Sequence, residues 1–332
     1  MKAAVLKKPA PIEQGPLSID DVPMPKAAPG FALLKVLACG ICRTDLHIIE
    51  GELPPKLPWV IPGHEIVAEV IESPDQSFPA GTRIGVSWIG GTDGTCRFCQ
   101  SNRENLCDHP LYTGYTHQGG YAQYTTARTD FLHRIPDSLE SAVAAPLLCA
   151  GMVGYHSLRV ADVQRGQKVG LFGFGSCAQI LIHVLQAWDC KVYVSTREER
   201  HQQLARILGA TWAGQGNEVP PTPLDRAVTF APAGDVVVTA LKSIDKGGIV
   251  AINAIHLDRM PQFDYDSIFW GERQLRSVTN MTRQDAREFL QIAADIHLKP
   301  EVDTYPLDQV NVALRAQKAD QLNHTAVLLP PE

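Results

Sequence analysis

The sequence predicts an α/β fold in which a doubly wound parallel sheet is joined to a second, β-rich domain. Two observations carry this reading. After Gly166, short apolar strands alternate with helical stretches, the pattern of a parallel sheet covered on both faces. Before residue 130, Pro and Gly punctuate short β-type runs, as in a loop-heavy β domain. A chain of 332 residues is long enough for two hydrophobic cores.

Taken in order, the start Met1-Lys2-Ala3-Ala4-Val5-Leu6 reads as a strand and lacks a secretory apolar region. No apolar run reaches the length of a membrane span, so the expectation is a cytoplasmic protein with no membrane partner. A net charge of −6 gives no reason to expect nucleic acid. Residues 31–37 and 66–71 read as strands, with turns at Pro9, Pro29-Gly30, Pro79-Ala80-Gly81 and Gly119-Gly120. Residues 141–158 read as a helix that Pro146 interrupts and Gly151 and Gly154 loosen. Residues 168–172 form a strand, 173–178 a tight turn, 179–188 an apolar helix and 191–196 a second strand. A helix over 198–208 ends at Gly209, and strands follow at 226–230, 249–253 and 274–278. The tail holds a helix over 284–297 and a strand over 325–329.

The turn Gly173-x-Gly175-x-x-Ala178 opens a helix directly after a strand. The first glycine permits the turn, the second admits a pyrophosphate, and a small third residue lets helix and strand pack closely. The helix N-terminus beyond it offers free N–H groups to phosphate, which makes Gly173, Gly175 and Ser176 dinucleotide-binding candidates. The next strand ends Ser195-Thr196-Arg197, without the carboxylate that usually meets a ribose 2′-hydroxyl. Thr196 and Arg197 there suit a 2′-phosphate and predict NADP over NAD, although Glu198 and Glu199 stand just beyond.

Eight cysteines without a secretory signal point to metal rather than to disulfides. Asp93-x2-Cys96-x2-Cys99-x7-Cys107 places four candidate ligands in fifteen residues, a closed structural zinc loop in which the carboxylate is the weak member. Cys42, His64 and Cys149 are candidates for an open site; what raises His64 above an ordinary turn histidine is the company of Cys42 and His47 in the preceding cluster and of Cys149. Cys39, Cys177 and Cys190 read as small buried hydrophobes.

Cys39-Gly40-Ile41-Cys42-Arg43-Thr44-Asp45-Leu46-His47, Gly63-His64-Glu65, the Cys96/Cys99/Cys107 loop and Gly173-x-Gly175 occur in an order that resembles the zinc-dependent medium-chain alcohol dehydrogenases. The resemblance runs from the first strand to the last. It implies a β-rich GroES-like catalytic domain, residues 1–150 with 284–332 returning to it, and a Rossmann dinucleotide-binding domain over 151–283. It further implies catalytic zinc on Cys42, His64 and Cys149, with Glu65 as a carboxylate able to approach the metal and Asp45 as the partner that orients His64. Thr44 and His47 resemble the proton relay, Arg43 the cation at the coenzyme pyrophosphate, and Trp88 a wall of the substrate pocket. Leu53 lies where some relatives carry a bulky aromatic, which implies room for larger substrates. Asp93 departs from the usual cysteine, and Ala68 from the usual glycine.

The implied reaction interconverts alcohols with aldehydes or ketones by hydride transfer with NAD(P). A Lewis-acid zinc acidifies the alcohol, and the proton leaves through Thr44 and His47. The cleft between the domains is expected to hold both reactants. Polyol dehydrogenases tend to carry a carboxylate where Cys149 stands, which favours simple alcohols. A cinnamyl-alcohol-type NADP enzyme stays open, and a non-catalytic coenzyme-binding protein is the alternative from another class. The remaining expectations are a small-molecule substrate and a homo-oligomer, tetramer or dimer, with residues 274–278 able to pair across a two-fold axis.

Overall fold

The computed structural model describes residues 1–322 and 324–331. The chain divides into two compact units, Met1–Cys149 with the segment from Thr282 onward, and Ala150–Met281.

In the first unit the strand Phe31–Gly40 is central. Its alternating sequence buries Ala32, Leu34, Val36 and Ala38 on one face. Glu65–Glu72 and Tyr124–Arg128 pair with it antiparallel, and the C-terminal strand Thr325–Leu329 joins it at Cys39 and Gly40. Together with Arg83–Val86, His133–Arg134 and Val302–Pro306 they make a seven-stranded sheet. The register pairs Gly40 with Glu65. Cys42, two residues past one strand, and His64, one before the other, therefore meet at the same end of the pair. The short turn Ala145–Leu148 packs on the same strands and delivers Cys149. A Cβ at Gly85 would strike the Leu148 side chain, so glycine in the strand Arg83–Val86 makes room for that turn.

The second unit is built on six parallel strands in the order Trp212–Gly214, Lys191–Ser195, Lys168–Phe172, Leu224–Thr229, Ile244–Ile252, Gln274–Ser277. Numbered along the chain this is 3-2-1-4-5-6, the doubly wound dinucleotide-binding arrangement, and the expected α/β class is the observed one. The helix Ser176–Ala187 follows the first strand, and Glu199–Ile207 follows the second before Gly209 turns the chain at φ +89°.

Several expectations need correction. Residues 141–158 are helical and broken at Pro146 as expected, but the break is wider than one residue. Ser141–Ala144 gives way to the 3-10 turn Ala145–Leu148, Cys149 leaves helical geometry at φ −127° and ψ −74°, and Ala150–Val160 starts afresh. Gly154 does not loosen this last helix; a Cβ there would meet Leu181 at 3.0 Å, so it permits close packing on Ser176–Ala187. The helices Arg43–Ile49, Gly234–Ser243 and Val310–Lys318 and the strands Trp212–Gly214 and Val302–Pro306 add to the expected set. Among the described residues no single helix is long and apolar enough to cross a membrane.

Candidate metal centres and coenzyme turn

Cys42 stands at the N-cap of Arg43–Ile49. Asp45, at the third helical position, turns its side chain back so that Oδ2 accepts from Cys42 N at 2.9 Å. The same buried side chain reaches across to the second strand: Oδ1 accepts from Gly63 N at 3.2 Å and lies 3.3 Å from His64 Nδ1. Ligand atoms of Cys42, His64, Glu65 and Cys149 all fall within 4.8 Å of one another. The two thiols stand 3.9 Å apart. The Cys149 hydrogen bond, aided by His64, holds the Cys42 thiol well below its usual range against the opposing effect of burial. Burial and then Cys42 push the Glu65 carboxyl well above its usual range.

Both ring nitrogens of His64 are buried without a hydrogen-bond partner, Nδ1 lying 3.3 Å from Asp45 Oδ1, and Glu65 Oε2 is likewise unpartnered. Buried polar atoms in that state are costly and call for an explanation. Two soft thiols and an imidazole nitrogen facing a common point supply one, since that donor set fits zinc. Glu65 packs over Gly40 so closely that a Cβ on Gly40 would overlap Oε2. The glycine between Cys39 and Ile41 is thus required by the carboxyl group opposite it.

Thr44 is buried, with Oγ1 3.6 Å from Cys42 Sγ. His47, one turn on, pairs through Nδ1 with Glu52 Oε2 at 2.5 Å. Among the described residues no hydrogen bond joins Thr44 to His47. Arg43 is exposed. Trp88 stands edge-on to His64 at 5.0 Å and stacks on Tyr112 at 4.7 Å, extending to Tyr115 at 6.1 Å. Leu53 lies at the margin of the first unit's core. Leu111 lines a separate groove of about 670 Å³, beside Asp93, His109 and Arg128. Sequence reasoning missed Tyr112 and Tyr115; their signal was the aromatic spacing in Tyr112-Thr113-Gly114-Tyr115.

The second cluster joins Asp93, Cys96, Cys99 and Cys107, again within 4.8 Å of one another. Cys96 caps the short helix Arg97–Gln100, and its Sγ is 3.6 Å from Cys99 Sγ. Asp93 Oδ1 accepts from both Thr95 N and Cys96 N at 2.9 Å. Those two bonds hold its carboxyl far below the usual range. Cys39 and Cys190 are buried as expected, but Cys177 is only half-buried because it lies on the exposed turn that starts Ser176–Ala187.

In the second unit, Gly173 takes φ +96°, and a Cβ there would lie 3.1 Å from Ala231 N. Gly175 caps the helix with an ordinary φ of −82°, and a Cβ on it would meet no protein atom within 4 Å. Packing within the chain does not demand glycine at 175. Ser176 beside it is exposed. Thr196 is buried, its N–H and C=O engaged by Gly214 and Gln202. The Arg197 side chain is 90% exposed and pairs with Glu198 at 3.1 Å.

Residues 28–137 match the alcohol dehydrogenase GroES-like domain family. The chain is 43% identical over 336 residues to "Probable alcohol dehydrogenase AdhA" of Mycobacterium tuberculosis, covering 99% of this chain and 97% of the relative. It is 32% identical to an alcohol dehydrogenase of Geobacillus stearothermophilus, covering 99% and 98%. Among solved structures it resembles AibC, with a TM-score of 0.92 at 27% identity over 100% of this chain and 96% of that one. It also resembles acetophenone reductase from Geotrichum candidum in complex with NAD, with a TM-score of 0.85 at 26% identity over 99% and 96%. Full-length identity of this order, a six-stranded dinucleotide-binding sheet and a Cys/His/Cys cluster at the sheet end agree: the chain belongs to the zinc-type medium-chain alcohol dehydrogenases, enzymes that interconvert alcohols and carbonyl compounds.

Proposed function

We propose that the chain is a zinc-dependent alcohol dehydrogenase that uses a nicotinamide coenzyme, NADP in preference to NAD, on simple alcohols, aldehydes and ketones. The observation that carries the metal reading is the gathering of ligand atoms of Cys42, His64, Glu65 and Cys149 within 4.8 Å of one another, with the buried His64 nitrogens and Glu65 Oε2 left without hydrogen-bond partners. Cys42, His64 and Cys149 hold the metal, and Asp93, Cys96, Cys99 and Cys107 hold a second, structural one. A zinc ion at the first site supplies a Lewis acid that polarises an alcohol or carbonyl oxygen. Two thiolates balance the charge of a divalent ion, which leaves a site suited to a neutral aldehyde or ketone.

The chain's own groups do the rest. Asp45 orients His64, and Glu65 stands by as a carboxylate for ligand exchange. Trp88, stacked on Tyr112, walls the substrate side of His64 with apolar surface. Thr44, beside Cys42, passes the substrate proton towards His47, which the Glu52 carboxylate holds by Nδ1 so that Nε2 is left to receive it. Gly173, Gly175 and Ser176 take the pyrophosphate, and Arg43 is the cation that the family resemblance assigns to the coenzyme. Thr196 and the exposed Arg197 meet the 2′-phosphate; related structures carry NAD in one case and NADP(H) in another.

The test is metal analysis together with initial rates of benzaldehyde reduction by NADPH and NADH. The expected result is two zinc ions per chain, faster turnover with NADPH, one zinc and no turnover in Cys42→Ser, and loss of the NADPH advantage in Arg197→Ala. His47→Gln should slow the reaction about 100-fold. Full activity in zinc-free protein would sink the metal reading, and an NADH preference in the wild type the coenzyme reading.

A further inference from the structure

His64 is held by irregular backbone, residues 61–64, and not by a strand or helix of its own. A second stretch serves as its template. Gly119 N donates to Ile61 O at 2.7 Å, Gly120 N to Gly63 O at 2.9 Å and Tyr121 N to Pro62 O at 3.0 Å. The two stretches lie so close that a Cβ on Gly119 would overlap the carbonyl oxygens of Pro62 and Gly63, and one on Gly114 would stand 2.9 Å from Gly63 N. Gly63 has φ +93°, and a Cβ there would run into the Tyr121 ring. Tyr121 is fully buried, and its hydroxyl donates to Asp45 Oδ2 at 2.9 Å. Asp45 is equally buried and collects four neighbours: Cys42 N, Gly63 N, the Tyr121 hydroxyl and His64 Nδ1. Nothing in the chemistry above uses Tyr121.

We propose that Tyr121 is a positioning residue for the metal ligand His64, acting through Asp45. The inference rests on the reading of Cys42, His64 and Cys149 as a metal site. The ring fixes the left-handed turn at Gly63 from which His64 projects. The hydroxyl fixes the Asp45 side chain that faces His64 Nδ1, so the ring nitrogen on the other side, Nε2, is aimed at the thiols. A buried carboxyl group that loses one of its donors re-balances its remaining contacts, and the imidazole it faces follows. Outer partners of metal-bound histidines are worth about 10–100-fold in metal affinity.

The experiment uses the full-length chain with zinc exchanged for cobalt(II), whose thiolate charge-transfer and d–d bands report the ligand geometry. Cys42→Ser identifies the bands that belong to this site. Tyr121→Phe keeps the ring against Gly63 and removes only the hydroxyl. Competition with a chelator should show cobalt bound about tenfold more weakly, with shifted d–d bands, in metal-free protein that still unfolds in one cooperative transition. Asp45→Asn should weaken binding at least as much, and Asp45→Asn with Tyr121→Phe no more than Asp45→Asn alone, because the hydroxyl acts through that carboxyl group. Gly119→Ala, which presses on the same turn without touching the phenol, should shift the same bands. Wild-type affinity and spectrum in Tyr121→Phe, or losses that simply add in the double variant, would overturn the proposal. A wild-type chain that binds no cobalt through Cys42 would overturn the metal reading itself, and the proposal with it.

Discussion

His133 shows how a single buried residue ties stability to pH. It is 5% exposed, its Nε2 lies 3.2 Å from Ser87 Oγ, and burial, with Arg287 and Arg283 nearby, lowers its pKa from 6.5 to about 4. The folded form therefore resists protonation that the unfolded chain accepts. Between those two values the unfolded state binds more protons, so stability falls as the pH drops through 6.5 and the loss levels off below about 4. From pH 6.5 to 5 the share due to His133 is about 2 kcal/mol. Urea unfolding should show that loss in the wild type. His133→Gln, which keeps a polar partner for Ser87, should flatten the slope by about one proton. An unchanged slope would mean that another group dominates acid sensitivity.

The Asp93–Cys107 loop makes the corresponding point for a structural element. Asp93 holds the loop entrance by two backbone N–H groups before any metal is considered, and Glu104 within the loop accepts from Arg283 N at 3.0 Å, where the helix Arg283–Asp295 begins. Alanine at 93 would remove both the turn and the proposed ligand and could not separate them. Asp93→Asn keeps an oxygen for Thr95 and Cys96 but gives up the anion. Its expected signature is one zinc per chain instead of two, with the stability of the metal-free protein unchanged. Two zinc ions in that variant would remove Asp93 from the ligand set. The spacing of the three cysteines made this loop legible in the sequence, as the Gly-rich turn and its flanking apolar runs made the parallel sheet legible. Other elements lacked such a signal. The helix Gly234–Ser243 carries three consecutive valines, a β-type run that tertiary packing overrides. The strand Trp212–Gly214 has too few residues to show a period. The break at Cys149 and the Gly40–Glu65 fit depend on packing between distant segments, and the bond from Tyr121 to Asp45 spans 76 residues. No local window of sequence contains both partners.

For the whole molecule, the unresolved demand is the open edge of the parallel sheet. Gln274–Ser277 pairs with Ile244–Ile252 on one side and borders the sheet on the other. Unpaired edges invite association unless something blunts them. Just before this strand, the chain displays Tyr265 at 56% and Trp270 at 63% exposure, their rings 5.8 Å apart. Aromatic residues are enriched at interfaces between chains, so this pair beside the edge marks the place to test for self-association. A two-fold axis at that edge would set two copies of Gln274–Ser277 antiparallel, satisfy both rows of backbone groups and bury both aromatic pairs in one self-complementary contact. This edge is where the homo-oligomer expected from the sequence can be put to the test. Light scattering coupled to gel filtration should therefore give a multiple of the 36.3 kDa chain mass for the wild type. Trp270→Asp, which places a charge on that patch without touching the turn over residues 173–176, should move the mass towards a single chain while binding of the nicotinamide coenzyme persists. A wild type that runs as one chain, or a Trp270→Asp variant that keeps the full assembly mass, would place any association elsewhere and leave this edge to be protected by its own short length.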